Sequence, residues 1–269
     1  SISQLNFDIK QNIDKEKSNL KHNLILNTIE KDNSDILIFS ENNYPYIIQN
    51  DNINILQKFL GNNNNVVIGG TRKENNKYFN SFYLINNKEI KKFDKKILVP
   101  FGEFIPLRNL FSFMDFIAGS VDYSVGNNAR KLDLNDKISI IPIICYEIIY
   151  FWKLIDKTNL KSNLIINITN DSWFGKFSGP YQHFYFSKLR ASEFNKNLIR
   201  VSNNGISAAI NNFGAIIEYT KLNESDLKNF DIRIANYAKN NIKIHKIFLF
   251  MIFVFLLIGL ISNKKYDTW

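Results

Sequence analysis

Cys145 is the one cysteine among 269 residues. It closes an apolar, β-branched run, residues 138–145, and is followed at once by Tyr146 and Glu147. A thiol nucleophile needs a base to take its proton, a cation to hold the thiolate or a developing oxyanion, and a third group to fix the two. A lone cysteine is more often a small buried hydrophobe than a nucleophile. Here the strand stops at the cysteine, the sequence turns polar, and two other strand ends offer an acid, Glu41, and a lysine, Lys95. Open α/β sheets gather reactive groups outside strand ends. Glu147 is the nearest acid, whereas Glu41 by itself reads as a solvated loop carboxylate. Glu103 follows Lys95 across a Pro100-Phe101-Gly102 break, so spacing leaves open whether those two meet. His183, after a Gly-Pro-Tyr-Gln stretch, is either the base of a Cys–His pair or a structural residue at an aromatic helix start.

The elements that must position these groups follow from periodicity. A short strand opens the chain over 1–9, a helical spacing of Leu20, Leu24, Ile25 and Ile29 covers 14–31, and 35–39 is a buried strand that ends just before Glu41. A helix is expected over 50–60, and a strand with close-packing glycines over 66–72. A hairpin of 78–85 and 89–93 turns at Asn86 and Asn87. Residues 111–121 are apolar but interrupted by Asp115 and Gly119, as either a core helix or an interfacial arm. Strands are expected at 138–145 and 163–169, a helix at 182–194, a strand at 197–202, and a hairpin through 206–210 and 215–219. Strands alternating with helices, then hairpins, predict an α/β layered fold with mixed sheets.

Composition bounds the function. The net charge of +9 accompanies an excess of Lys, Asn, Ile and Phe together, as AT-rich coding produces, and no basic cluster alternates with stacking aromatics, so nucleic acid is not an expected partner. One cysteine excludes an internal disulfide framework and a multi-thiolate metal site. The histidines, at 22, 183 and 245, lack a His-x-x-x-His spacing, so no metal and no cofactor is expected. The opening Ser1, with no signal segment after it, fits a fragment or processed chain. Residues 247–262 contain no charge; about 16 residues at ~1.5 Å rise make ~24 Å, near the ~30 Å hydrocarbon core. With Lys243, Lys246, Lys264 and Lys265 flanking it, this run is expected to be a transmembrane helix rather than a buried core helix.

Taken together, Glu41 after a strand, Lys95 in FDKKILVPFGEFIP, Cys145 in ICYEI, then INITNDSWFG and RASEFNKNLIRVSNNGISAAI, resemble the nitrilase (carbon–nitrogen hydrolase) superfamily. More closely they resemble its membrane-bound branch, the apolipoprotein N-acyltransferases, over residues 1–262. The resemblance implies a nitrilase-like four-layer αββα sandwich, with a catalytic domain at 1–238 and the transmembrane helix and its flanks at 239–269. It implies Glu41 as general base, Lys95 as triad lysine and Cys145 as the nucleophile that forms an acyl thioester. Glu103 then steadies the lysine, and Tyr146 and Glu147 shape the turn. The donor would be a membrane phospholipid and the acceptor the N-terminal amine of a diacylglyceryl-modified apolipoprotein, at the bacterial inner membrane with the catalytic domain on the periplasmic side. A membrane-tethered amidase and a catalytically silent binding module are the other readings. Two positions depart from the family pattern: Ser40 stands where a proline usually precedes the base, and Phe93 where a tyrosine usually precedes the lysine by two. The multi-helix N-terminal membrane portion of that branch is also absent from this sequence.

Overall fold

The computed structural model describes residues 1–6, 15–49, 52–61, 65–106, 122–175, 177–234 and 242–266. The apolar stretch at 111–121 lies outside them.

The first sheet is built from β1 (Ile2–Gln4), β2 (Ile36–Phe39), β3 (Asn65–Glu74), β4 (Lys77–Ile85) and β5 (Ile90–Asp94), with helix α1 (Lys15–Lys31) linking β1 to β2. The second is built from β6 (Leu132–Asp133), β7 (Ser139–Ile144), β8 (Leu164–Asn170), β9 (Asn197–Asn203), β10 (Ala208–Ile210) and β11 (Ile216–Tyr219), with α2 (Ser178–Glu193) between β8 and β9. A last strand, β12 (Asp226–Lys228), returns to pair antiparallel with β1. The spatial orders are β12-β1-β2-β3-β4-β5 and β11-β10-β9-β8-β7-β6. In each sheet three consecutive strands are parallel, β1-β2-β3 and β7-β8-β9, and two antiparallel strands follow them. The two halves thus share one topology.

Strands buried on both faces need apolar residues at successive positions, which is why the central ones read as continuous β-branched runs. In β7, Ile140 and Ile144 face the other sheet while Ile141 and Ile143 face α2. In β2, Ile38 packs between the sheets while Leu37 and Phe39 pack under α1. The layers are therefore α1, sheet, sheet, α2.

The expected strands appear within the described residues, the first of them as Ile2–Gln4 alone, with 7–9 of its expected span lying outside those residues. The segment expected to be helical over 50–60 is a 3₁₀ helix, Asn52–Phe59. Helix α2 begins at Ser178, earlier than expected, because Pro180 sits in its first turn, where a missing N–H costs nothing. The short edge strands β6 and β12 were not anticipated.

The apolar C-terminal run forms α3 (Ile242–Tyr266). Ile247, Phe250, Phe253 and Leu256 on it are each more than half exposed, from 56 % to 65 %. The expected transmembrane span is nevertheless not met: among the described residues no helix is long and apolar enough to cross a membrane.

Candidate active site

Glu41 and Cys145 each lie just beyond the carboxyl end of a parallel strand, β2 and β7, in different sheets, and Lys95 follows directly on β5. The fold brings these three together. Lys95 Nζ lies 3.6 Å from Glu41 Oε1, and Cys145 lines the same cavity as both. All three are buried, Lys95 to 1 % exposure.

Glu103 does meet Lys95: the ammonium donates to Glu103 Oε1 at 2.8 Å. The loop after Lys95 doubles back, with Phe101 N donating to Phe104 O at 2.7 Å and Val99 N donating to Glu103 Oε2 at 2.9 Å. Asn80, on β4, joins both acids through one amide nitrogen, 2.7 Å from Glu41 Oε1 and 2.9 Å from Glu103 Oε1. Gly69 on β3 makes room for the Glu41 segment: a Cβ there would stand 2.7 Å from the Glu41 Cα.

Cys145 has φ of +51°, a left-handed conformation that costs a non-glycine residue on the order of 1 kcal/mol. The turn is held from two sides. On one, Glu147 accepts the Ile144 N–H at 3.0 Å and both guanidinium nitrogens of Arg130 at 2.8 Å. The same carboxylate accepts the N–H groups of Lys96 and Ile97 at 2.9 and 3.1 Å, so it ties the lysine loop to the cysteine turn. On the other side, His183 Nε2 lies 3.4 Å from the Cys145 carbonyl oxygen. Its Nδ1 faces Asp171 at 2.8 Å, and Asp171 accepts from Arg200 at 2.6 Å. His183 thus contacts the cysteine backbone in a buried Asp171–Arg200 network between the second sheet and α2, the structural alternative for this residue.

Electrostatics assign the protons. Burial raises the Glu41 carboxyl above its ordinary 4.5, with Lys95 only partly offsetting it. Burial, and next the Glu41 charge, push the Cys145 thiol up to about 12, so it stays protonated until a base takes the proton. Burial opposes the charge on Lys95, but Glu41, Cys145 and Glu103 outweigh it and keep the ammonium charged. For Glu147, burial is outweighed by Arg130 and the carboxylate stays ionised. Burial and Arg200 both lower His183, so it is neutral, while Asp171 is brought to about 2 because Arg200 overcomes its burial.

These groups open into a cavity of about 700 Å³ whose wall includes Tyr44, Tyr46, Phe101, Tyr146, Trp173 and Phe174. An aromatic, largely apolar cavity with a few convergent polar groups suits an acyl ligand. Tyr146 is placed on that wall, its ring 6.0 Å from His183 and 6.3 Å from Phe174. Among the described residues no cluster of His, Cys, Asp and Glu is arranged to hold a metal ion. Sequence reasoning passed over Asn80, Arg130 and Arg200; the signal for Asn80 and Arg200 was a polar side chain inside an otherwise apolar strand, and Arg130 carried none.

Fold and site together define a nitrilase-like α/β sandwich, and the chain belongs to the carbon-nitrogen hydrolase family, whose pattern matches residues 3–238. Within that family it is similar to proteins named apolipoprotein N-acyltransferase. That of Rickettsia typhi is 45 % identical over 139 residues, which is 52 % of this chain and 28 % of that protein. The match therefore spans less than a third of the relative. Among solved structures, the fold is shared with a CN-hydrolase superfamily protein from Xanthomonas campestris, at 14 % identity and a TM-score of 0.56 over 83 % of this chain and 87 % of that one. It is also shared with the glutamine-dependent NAD⁺ synthetase of Acinetobacter baumannii, at 15 % identity and a TM-score of 0.61 over 84 % and 44 %.

Proposed function

We propose that this chain carries the catalytic part of an apolipoprotein N-acyltransferase, with residues 1–238 as its catalytic domain. The observation that carries the reading is the meeting of a raised carboxyl, Glu41, a charged lysine, Lys95, and a protonated thiol, Cys145, in an aromatic-walled cavity. Similarity to proteins of that name supports the choice of acyl transfer over amide hydrolysis.

In this mechanism Glu41 takes the thiol proton as Cys145 Sγ attacks the ester carbonyl of a phospholipid. Lys95 and the backbone N–H of Tyr146 hold the oxyanion, each donor worth on the order of 3 kcal/mol. The C–O bond breaks, Glu41 returns the proton to the departing lysophospholipid oxygen, and a thioester remains on Cys145. The N-terminal amine of a diacylglyceryl-modified apolipoprotein then attacks, losing a proton to Glu41. The C–S bond breaks, the thiolate regains the proton and the amide leaves. The work takes place at the periplasmic face of a bacterial inner membrane, with the exposed apolar side chains of α3 against lipid.

The test is intact-mass analysis of the full chain after incubation with labelled phospholipid. A hydroxylamine-sensitive acyl adduct on Cys145 is expected, absent in Cys145→Ala. An adduct that turns over only to free acid, with lipoprotein acceptor supplied, would favour the amidase; no adduct in the parent chain would overturn the proposal.

A further inference from the structure

Residues 123–126 run along the site and bond to three of its parts through the backbone. Tyr123 N donates to the Glu103 carbonyl at 2.8 Å, Ser124 N to the Tyr78 carbonyl at 2.7 Å, and Gly126 N to the Lys95 carbonyl at 2.8 Å. Tyr123 and Tyr78 form a parallel bridge, so this segment takes up the edge of β4 beyond Ser81, the last residue there that pairs with β5. The Tyr123 side chain, on the cavity wall, reaches a fourth part, the turn that carries Glu41.

That connection is a short relay of hydrogen bonds. The Tyr123 hydroxyl lies 2.8 Å from Thr71 Oγ1 on β3, and Thr71 gives its one hydroxyl hydrogen to Asn42 Oδ1 at 3.3 Å. Tyr123 is therefore the donor of the shorter bond. Burial raises its phenol above the ordinary 10.0, so that proton stays in place at neutral pH. Asn42 directly follows Glu41, and its φ of +50° is left-handed, a region asparagine enters at less cost than most residues. The backbone is pinned on either side of it, with Gly69 N donating to Ser40 O at 3.1 Å and Tyr44 N to Gly69 O at 2.9 Å. Between these points the Thr71 hydroxyl holds the Asn42 side chain. The direction in which Glu41 leaves the chain is set at this turn.

We propose that Tyr123 is a positioning residue that acts through Thr71 and Asn42 to aim Glu41 at Cys145, coupling the base turn to the loop that carries Lys95 and Glu103. It does for the base what Glu147 does for the cysteine. The assignment rests on the acyl-transfer function proposed above, in which Glu41 is the base.

The experiment is a double-mutant cycle on the full chain, with the neutral ester p-nitrophenyl butyrate as probe and Cys145 acylation scored by p-nitrophenol release and intact mass. Tyr123→Phe removes only the hydroxyl. It should lower the limiting acylation rate roughly three- to tenfold, the scale of one hydrogen bond, and leave KM within about twofold of the parent value. Thr71→Val should give the same loss, and Thr71→Ser should keep most of the rate. In a Glu41→Gln background Tyr123→Phe should cost nothing further, because the group it aims is gone. A loss of the same size in that background would make Tyr123 a general strut for the lysine loop and overturn the assignment. A raised KM at an unchanged limiting rate would overturn it too, by placing the hydroxyl on the ligand, as would a variant equal to the parent. A parent chain that the ester does not acylate would count against the acyl-transfer reading, and the cycle is then scored on alkylation of Cys145 by iodoacetamide, which needs only the thiol and its base. There a loss seen with Glu41 and absent with Glu41→Gln supports the positioning role, and equal rates overturn it.

Discussion

Glu41 and Asp171 are both buried carboxylic acids, and their surroundings drive them in opposite directions. Glu41 is raised above 4.5 by burial, so thioester formation should fall on acidification with an apparent pKa above that of an exposed glutamate. Glu41→Gln should slow the step and remove this acidic limb, as stopped-time mass spectrometry across pH 4 to 8 would show. Asp171 is depressed from 3.8 to about 2 by Arg200 acting against burial. The sign for stability follows: its contribution is present above about pH 4 and is lost as pH falls toward 2. The shift is worth roughly 2 kcal/mol, and urea denaturation should show Asp171→Asn lacking that component of the acid-induced loss. Only part of this residue scale was legible in the sequence. Cys145, with a strand before it and an acid after it, stood out, but its neighbour Glu147 is consumed by Arg130 and three backbone N–H groups. The partnership of Asp171 with Arg200 spans 29 positions, and no local pattern announces it.

At the scale of elements, the turns matter more than the strands they join. Glu147 fastens the lysine loop to the cysteine turn, and breaking a buried pair of this kind costs about 3–5 kcal/mol. Glu147→Gln should therefore lower the melting temperature by roughly 10 °C, measured by circular dichroism, and slow thioester formation as well. Gly69→Ala tests the opposite sheet. Its new methyl would meet backbone at Glu41, so the β2 turn must shift, and adduct formation should drop while the secondary structure is kept. Periodicity predicted the central strands because burial on both faces leaves an unmistakable apolar run. It failed at Pro180, where a residue that usually stops a helix lies within the first turn of one. It had no purchase on β6 and β12, two and three residues long, which exist only because a neighbouring strand offers an edge.

Across the whole molecule, two like-ordered sheets pack face to face, with a helix outside each. The layered α/β class could be read from alternating elements, but the pairing of β12 with β1 sets Ile2 beside Lys228, and no local pattern predicts it. Helix α3 was read correctly as apolar, and the span expected of it finds no support among the described residues. Its exposed face carries a prediction of its own. The full chain should float with phospholipid vesicles, and Phe250→Asp with Phe253→Asp should reduce the floating fraction without altering the melt. The division of the site between the sheets also bears on how the protein is made. During synthesis the first sheet emerges carrying Glu41 and Lys95, and the thiol arrives only with the second. Glu41 and Lys95 belong to one sheet and Cys145 to the other, so the three meet only once the two sheets have docked.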